Sequence, residues 1–384
     1  MAARIALRNA WQSQNIGDIA HYLGLFELVD RGGMDPADFW LWAAVMDDGA
    51  DDLLAQKWPQ VEWLASDAPG LEDRLRGSDF LLHGSSAGFR AAEMRRWQEL
   101  TGKPYGVLGI SFPTARPDAV ATMSDAEFVF FRDSESLAIA REAGVAAPIM
   151  EWGPDAAFAV TGAADDAAAA DYVASIGLSP GRFLCCIPRY RRTPFWRVRS
   201  GYAADPEVEA VNAELADHDH APHRETIIRL VRELGMSVLI TCEDQTQIPL
   251  GREQLYDPLP DDVKAKVVWR DSYWLPPLAL GVYKLSAGLF GNEMHSPIMC
   301  IANGVPATVG RWDRQGPKGY MWRDIGLDEW LFDLDDEAQV GTMADTVLQI
   351  ASDPDSARHR VAGAQQIVAR AQQRELEVLR AAVG

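Results

Sequence analysis

Short, almost wholly apolar runs that end in Gly, Ser or Asn and give way to a helical pattern recur along the chain, and this alternation leaves few architectures open. Residues 4–7, 77–86, 105–111 and 128–131 read as strands, with helices at 19–30, 91–100 and 136–143 between them. Strands apolar on both faces belong to parallel sheets covered by helices, and the βαβ rhythm is that of a Rossmann-like order. Asp133 or Ser134 caps the helix that follows the fourth run. The segment 39–64, rich in tryptophan and acid, is the least readable part of this half.

The pattern then restarts. Thr161-Gly162-Ala163-Ala164-Asp165-Asp166, four alanines and Ser179-Pro180-Gly181 form the sharpest composition shift and mark a boundary. Beyond it strands are expected at 183–187, 237–241, 267–269 and 285–290, with a helix at 225–234. From Asp336 the chain reads as helix, with a long amphipathic segment at 357–382. An α/β protein of two Rossmann-like domains results: 1–165, 180–345, and helices at 346–384 that pack back across both. With 384 residues, 48% of them hydrophobic, each domain has its own core.

A formal net charge of -20 excludes nucleic acid or an anionic membrane as a general partner, so any anionic ligand must meet a local basic patch. The opening residues, Met1 to Arg8, are too short in apolar length for a signal peptide or membrane span, which places the protein in the cytoplasm. Cys185, Cys186, Cys242 and Cys300 lack Cys-x-x-Cys spacing and fall in apolar segments, as reduced core thiols do. No cofactor is implied.

The chemistry concentrates where Leu289-Phe290-Gly291 runs into Asn292-Glu293-Met294-His295-Ser296, followed by a short buried helix over 298–302 and a new strand. Open α/β sheets put ligands at such a junction. On a strand, positions two apart share a face, so Glu293 could accept a hydrogen bond from His295, fix its tautomer and raise its pKa. The plainer alternative is a core histidine beside an exposed glutamate. Further upstream, Pro188-Arg189-Tyr190-Arg191-Arg192-Thr193-Pro194-Phe195-Trp196-Arg197 is the one dense basic cluster, at the carboxyl end of a strand. It reads either as an anion site or as a solvated turn neutralised by Asp205 and Glu207.

His218-Asp219-His220, with His223, opens the expected helix at 225. A substrate-facing role is the better reading there, because the spacing supplies no complete ligand set for a metal. Glu243 ends a strand where a carboxylate could meet a sugar hydroxyl. Asn15 and Asp18 sit in a loop that opens the helix 19–30, either lining a pocket or capping the turn. Lys318, in a glycine-containing basic loop, is a further phosphate candidate.

These blocks resemble the polysaccharide pyruvyl transferase family. The matching points are Asn15-Ile16-Gly17-Asp18, the strand and small-residue loop ending at Gly84, Leu108-Gly109-Ile110, Arg132-Asp133-Ser134-Glu135-Ser136, Pro154-Asp155-Ala156-Ala157-Phe158, and Glu293-Met294-His295 followed by Gly304-Val305-Pro306. The resemblance implies two domains facing a central cleft, as in glycosyltransferases of the B type. It implies a transferase that moves a pyruvyl group from phosphoenolpyruvate to hydroxyls of a carbohydrate-like acceptor in polysaccharide biosynthesis. His295 and Glu293 would be catalytic; Arg189, Arg191, Lys318 and Ser296 would hold the donor; Asn15, Asp18, His83, His220, His223 and Glu243 would face the acceptor. The family commonly has Arg-x-His where this chain has Glu293-Met294-His295, and a carboxylate there repels a phosphate. A glycosyltransferase using a nucleotide sugar, or a non-catalytic carbohydrate- or anion-binding member of the fold, are the alternatives.

Overall fold

The computed structural model describes residues 3–384; the first two residues of the N-terminal segment read above lie outside it. Thirteen strands form two sheets. The first contains β1 (Ile5–Asn9), β2 (Phe39–Ala43), β3 (Trp63–Ala65), β4 (Phe80–His83), β5 (Tyr105–Ile110), β6 (Phe128–Phe131) and β7 (Met150–Trp152). The second contains β8 (Phe183–Ile187), β9 (Ser237–Ile240), β10 (Val267–Trp269), β11 (Leu289–Gly291), β12 (Ala307–Arg311) and β13 (Leu331–Asp333). Every pairing is parallel.

Strand order explains where a site can form. The sheets run β3-β2-β1-β4-β5-β6-β7 and β10-β9-β8-β11-β12-β13. In each, the winding reverses beside the first strand, between β1 and β4 and between β8 and β11. At such a switch point the connections leave in opposite directions and open a crevice beyond the carboxyl ends.

Apolar burial on both faces holds the sheets. All five side chains of β1 and of β8 are buried, and each fully buried Leu, Ile or Phe contributes roughly 1.5–3 kcal/mol. Arg8 in β1 is the exception in chemistry. Its guanidinium meets both carboxylate oxygens of Glu93, at 2.6 and 2.8 Å, and lies over the rings of Trp11 and Trp42, so the buried charge is paired and stacked.

Several elements depart from the sequence reading. The first helix begins at Ile16, not 19, because Asn15 caps it by accepting from the Gly17 N–H at 2.7 Å. The helix expected at 225–234 runs Pro206–Leu234, started by Asp205 as N-cap with Pro206 in the first turn and closed by Gly235 in the left-handed region. The strand expected at 285–290 is shorter, β11 at Leu289–Gly291, because a helix, Pro276–Leu285, takes up the residues before it. The segment left unread at 39–64 supplies β2, a helix Ala50–Lys57, and β3.

The alanine-rich stretch forms a helix, Asp166–Ser175, packed so closely on Pro276–Leu285 that a Cβ on Gly281 would stand 2.6 Å from that of Ala169. The final helix, Pro354–Val383, ties both sheets. Its Gln365 side chain donates to the carbonyls of Ile301 and Ala302, and Arg374 grips Glu151 of β7 at 2.7 Å. All four cysteines are buried and unpaired, with burial pushing the Cys242 thiol up to about 12. Among the described residues no helix is long and apolar enough to cross a membrane.

Candidate functional site

The loops that follow β1, β4, β8 and β11 converge on a cleft of about 360 Å³. The two halves are tied at its floor. The Ile16 N–H donates to Glu243 O at 2.9 Å, the Gln245 N–H donates to Gln14 O, and the Tyr273 hydroxyl donates to Ser13 O at 2.8 Å. The Asn-Ile-Gly-Asp loop is therefore fixed against the end of β9, and Asn15, which also caps the helix, and Asp18 line the cleft.

His295 opens the helix His295–Ala302. Its Nδ1 lies 2.9 Å from Glu243 Oε1, and Glu243 Oε2 accepts from the Ser296 N–H at 2.7 Å. A fully buried carboxylate on Nδ1 places the proton there and leaves Nε2 as a free acceptor, buried and without a partner. Burial pushes this imidazole down to about 3, and the neighbouring His21, Lys318 and Arg132 add to the effect.

Pairing of Glu293 with His295 is therefore corrected. β11 ends at Gly291, where φ is +154° and a Cβ would stand 2.2 Å from Ile187 O; the strand alternation stops before Glu293, and Met294 already has φ -112° and ψ -42°. Glu293 turns instead to Arg189 Nη1, at 2.9 Å, and accepts from Gln247 Nε2 at 2.6 Å. Burial raises its pKa and Arg189 opposes the rise.

Three residues to which the sequence reading gave no role complete the floor. His21 Nε2 lies 3.2 Å from Asp155 Oδ2, and its ring meets His295 edge-on with centroids 4.8 Å apart. Arg132 donates to Asp155 Oδ2 at 2.7 Å and to Ser111 Oγ at 2.8 Å. Burial alone would raise the Asp155 pKa, but His21 and Arg132 hold it well below the usual carboxylate range. His21 could have been found: it lies three residues after Asp18, on the same helix face. His295 can sit this close to the first helix because residue 17 is glycine, where a Cβ would stand 2.1 Å from His295 Nδ1.

The arginines of the basic cluster divide between acidic partners and the cleft. Arg192 reaches Asp205 and Glu207, and Arg197 pairs with Glu209. Arg191 is corrected as a donor ligand: half-buried, it is bidentate to the buried Asp219 at 2.8 Å, paired with Asp335 and stacked over Trp312. Arg189 and Arg199 do reach the cleft. So does Lys318, whose pKa burial lowers to about 8; Arg189 acts in the same direction and Glu293 against it.

Other candidates are placed elsewhere. Ser296 is buried, its N–H on Glu243 and its hydroxyl accepting from Tyr283 at 3.2 Å. Glu243 faces His295 rather than the cleft, and so positions the imidazole. His83 is buried between Trp11 and Phe89, with Nδ1 on Gly84 O. His220 and His223 lie in the middle of the long helix, not at its start. His220 Nδ1 donates to Ala216 O, and His223 Nε2 donates to Asn292 Oδ1 at 2.5 Å. Burial lowers both pKa values, that of His223 to about 4. His223 thus orients the loop after β11, His220 bonds back into its own helix, and neither lines the cleft.

Among the described residues, His21, Asp155 and His295 bring possible metal-ligating atoms within 4.8 Å of one another. A cation there would compete with Arg132 for the same Asp155 oxygen and meet the charge of Lys318, so this donor set does not suit a divalent ion.

Two parallel sheets facing a cleft at their switch points, with carboxylate, imidazole and cationic groups on its walls, define a two-lobed glycosyltransferase-B architecture. Similar folds occur in Anabaena Alr3699/HepE in complex with UDP and glucose, at 10% identity over 99% of this chain and 100% of that one with a TM-score of 0.60. They also occur in S. aureus MnaA with UDP, at 10% identity over 97% and 94% with a TM-score of 0.59. The Neisseria meningitidis UDP-GlcNAc 2-epimerase bound to UDP-GlcNAc covers 98% and 99% at 10% identity and a TM-score of 0.58. No curated protein matches in sequence. The polysaccharide pyruvyl transferase family model matches residues 15–314, and the chain belongs to that family.

Proposed function

We propose that this transferase moves a pyruvyl group from phosphoenolpyruvate to a pair of hydroxyls on a carbohydrate. The observation that carries the reading is the free Nε2 of His295, held by Glu243 on the other ring nitrogen and flanked by Lys318 and Arg189. A proton delivered to the methylene carbon of the donor makes a methyl group and an electrophilic C2. One acceptor hydroxyl oxygen bonds to C2, phosphate leaves, and the second hydroxyl closes the ketal. One acceptor hydrogen ends in the methyl group and the other leaves with phosphate.

Each side chain has a task in that sequence. Lys318 and Arg189 neutralise the donor phosphate and carboxylate. His295 is neutral in the empty cleft, so its proton arrives when the donor's negative charge raises its pKa. His21, oriented by Asp155, takes a proton from the acceptor hydroxyl. Incubation with phosphoenolpyruvate and a panel of glycans, read by phosphate release and by the mass of the product, tests this. Phosphate release that is absent for every glycan, with no binding of phosphoenolpyruvate, removes the reading.

A nucleotide sugar is the second donor to consider. Glu293 at the cleft wall supports it, because a carboxylate can accept hydrogen bonds from ribose hydroxyls, and the similar structures named above hold UDP or UDP-sugars. Thermal stabilisation by UDP-sugars with none by phosphoenolpyruvate would favour it. The work is expected to be done in the cytoplasm, where both donors occur.

A further inference from the structure

A second cavity, of about 450 Å³, lies over the carboxyl ends of β4 and β5 and shares Ser86, Ala87 and Arg90 with the catalytic cleft. Its volume is that of an ordinary small-molecule site. A ligand with one end between His21 and His295 can run directly into it. Its walls carry Phe89 and Phe112, the hydroxyls of Ser86 and Thr114, and two guanidinium groups, Arg90 and Arg116.

The charge of this cavity runs against that of the molecule. The chain carries a net charge of -20, yet no aspartate or glutamate is among the residues lining the cavity. Arg116 has one distant partner, Asp118 at 3.6 Å. Arg90 forms no salt bridge among the described residues; its guanidinium lies over the Trp11 ring, 4.8 Å from the centroid. Arg8 covers the same ring at 4.5 Å, and the Trp11 indole N–H donates to Ser85 O at 2.9 Å, so the ring is held from both sides. Arg8 is neutralised by Glu93. Arg90 is thus pre-oriented while its hydrogen-bonding edge is left for a ligand.

We propose that this cavity is an acceptor subsite for an anionic sugar unit, with Arg90 and Arg116 reading a carboxylate or phosphate on the acceptor next to the unit that reacts. Phe89 and Phe112 make the wall partly apolar for a sugar's apolar side, and the Ser86 and Thr114 hydroxyls can meet its polar edge. The inference rests on the transferase reading for the reacting end, but the subsite is defined by binding alone.

Calorimetry on the full chain without donor tests it, using glucose, glucuronate and glucose 1-phosphate as probes. Both anions are expected to bind at least tenfold more tightly than glucose, with affinity falling as salt rises. Arg116→Gln, and the pair Arg90→Gln with Arg116→Gln, should remove the preference, whereas Lys318→Met should leave it. Which anion binds more tightly assigns the group as carboxylate or phosphate. Equal affinity for glucose and the anions, or a preference that survives in the double variant, overturns the proposal. Phosphoenolpyruvate binding, measured separately in Arg116→Gln, should be unchanged; its absence in the unaltered protein would count against the donor reading and not against the subsite.

Discussion

Arg189 and Glu293 meet at 2.9 Å on the cleft wall, so the arginine best placed for an anionic donor already carries an internal anion. Donor binding must compete with that contact or use the outer face of the guanidinium. Glu293→Gln keeps a carbonyl oxygen for Gln247 Nε2 and removes the charge. Phosphoenolpyruvate should then bind about tenfold more tightly, a gain of about 1.4 kcal/mol, as read by calorimetry. Unchanged or weaker binding would show that Glu293 is not the competing anion.

His295→Asn separates the two faces of the imidazole. The asparagine amide can still donate to Glu243 from the position of Nδ1, while nothing replaces Nε2. Turnover should fall by roughly 10²–10⁴, the usual contribution of a positioned acid or base, with a thermal midpoint close to that of the unaltered protein. An equal loss in stability and turnover would make His295 a structural residue.

How far the sequence reaches depends on the range of the interaction. The βαβ rhythm was legible because strands such as Phe183–Ile187 are apolar on both faces and short enough to be bounded by their turns. His295 was legible as a histidine at a strand-to-helix junction. Its partner was not, because Glu243 comes from 52 positions away, and local spacing offered Glu293 first. Arg191 looked like its neighbour Arg189 in sequence; the buried Asp219 that claims it lies on a helix whose start at Pro206 was placed 19 residues too late. Asp155 stood in a recognised block without a role, since only the fold brings it to His21.

Gly17→Ala tests how tightly His295 is seated. A methyl group 2.1 Å from His295 Nδ1 cannot be accommodated without moving the ring off Glu243. Helix propensity favours alanine over glycine by about 0.8–1 kcal/mol, so the helix itself does not suffer. Activity should drop at least tenfold while the circular dichroism spectrum is retained. Full activity would mean that the imidazole does not need its Glu243 contact.

Arg191→Ala should behave in the opposite way. It leaves Asp219 buried without its bidentate partner, which costs about 3–5 kcal/mol in comparable buried pairs. Denaturant unfolding should show that loss. Phosphoenolpyruvate affinity of the folded fraction should be unaltered, because Arg191 does not face the cleft. Weaker donor binding with intact stability would restore Arg191 to the donor site.

On the proposed reading, Lys318 sets the alkaline limit of donor binding. Burial and the repulsion of Arg189 bring its pKa down to about 8, so the ammonium is present below that pH and is lost as pH rises through it. Donor affinity and kcat/KM, which report the free enzyme, should therefore fall above about pH 8. In the complex the donor's negative charge favours the ammonium, and the corresponding limb in kcat should lie higher. Loss of the fold through Lys318 itself would not produce this limb. With the folded pKa depressed, the unfolded chain binds more protons between about 8 and the ordinary lysine value, so this group makes stability rise with pH in that window while binding falls. Lys318→Met should abolish the limb near 8 and weaken the donor at all pH values below it. If the limb persists in that variant, another group sets the limit and Lys318 is not a donor ligand.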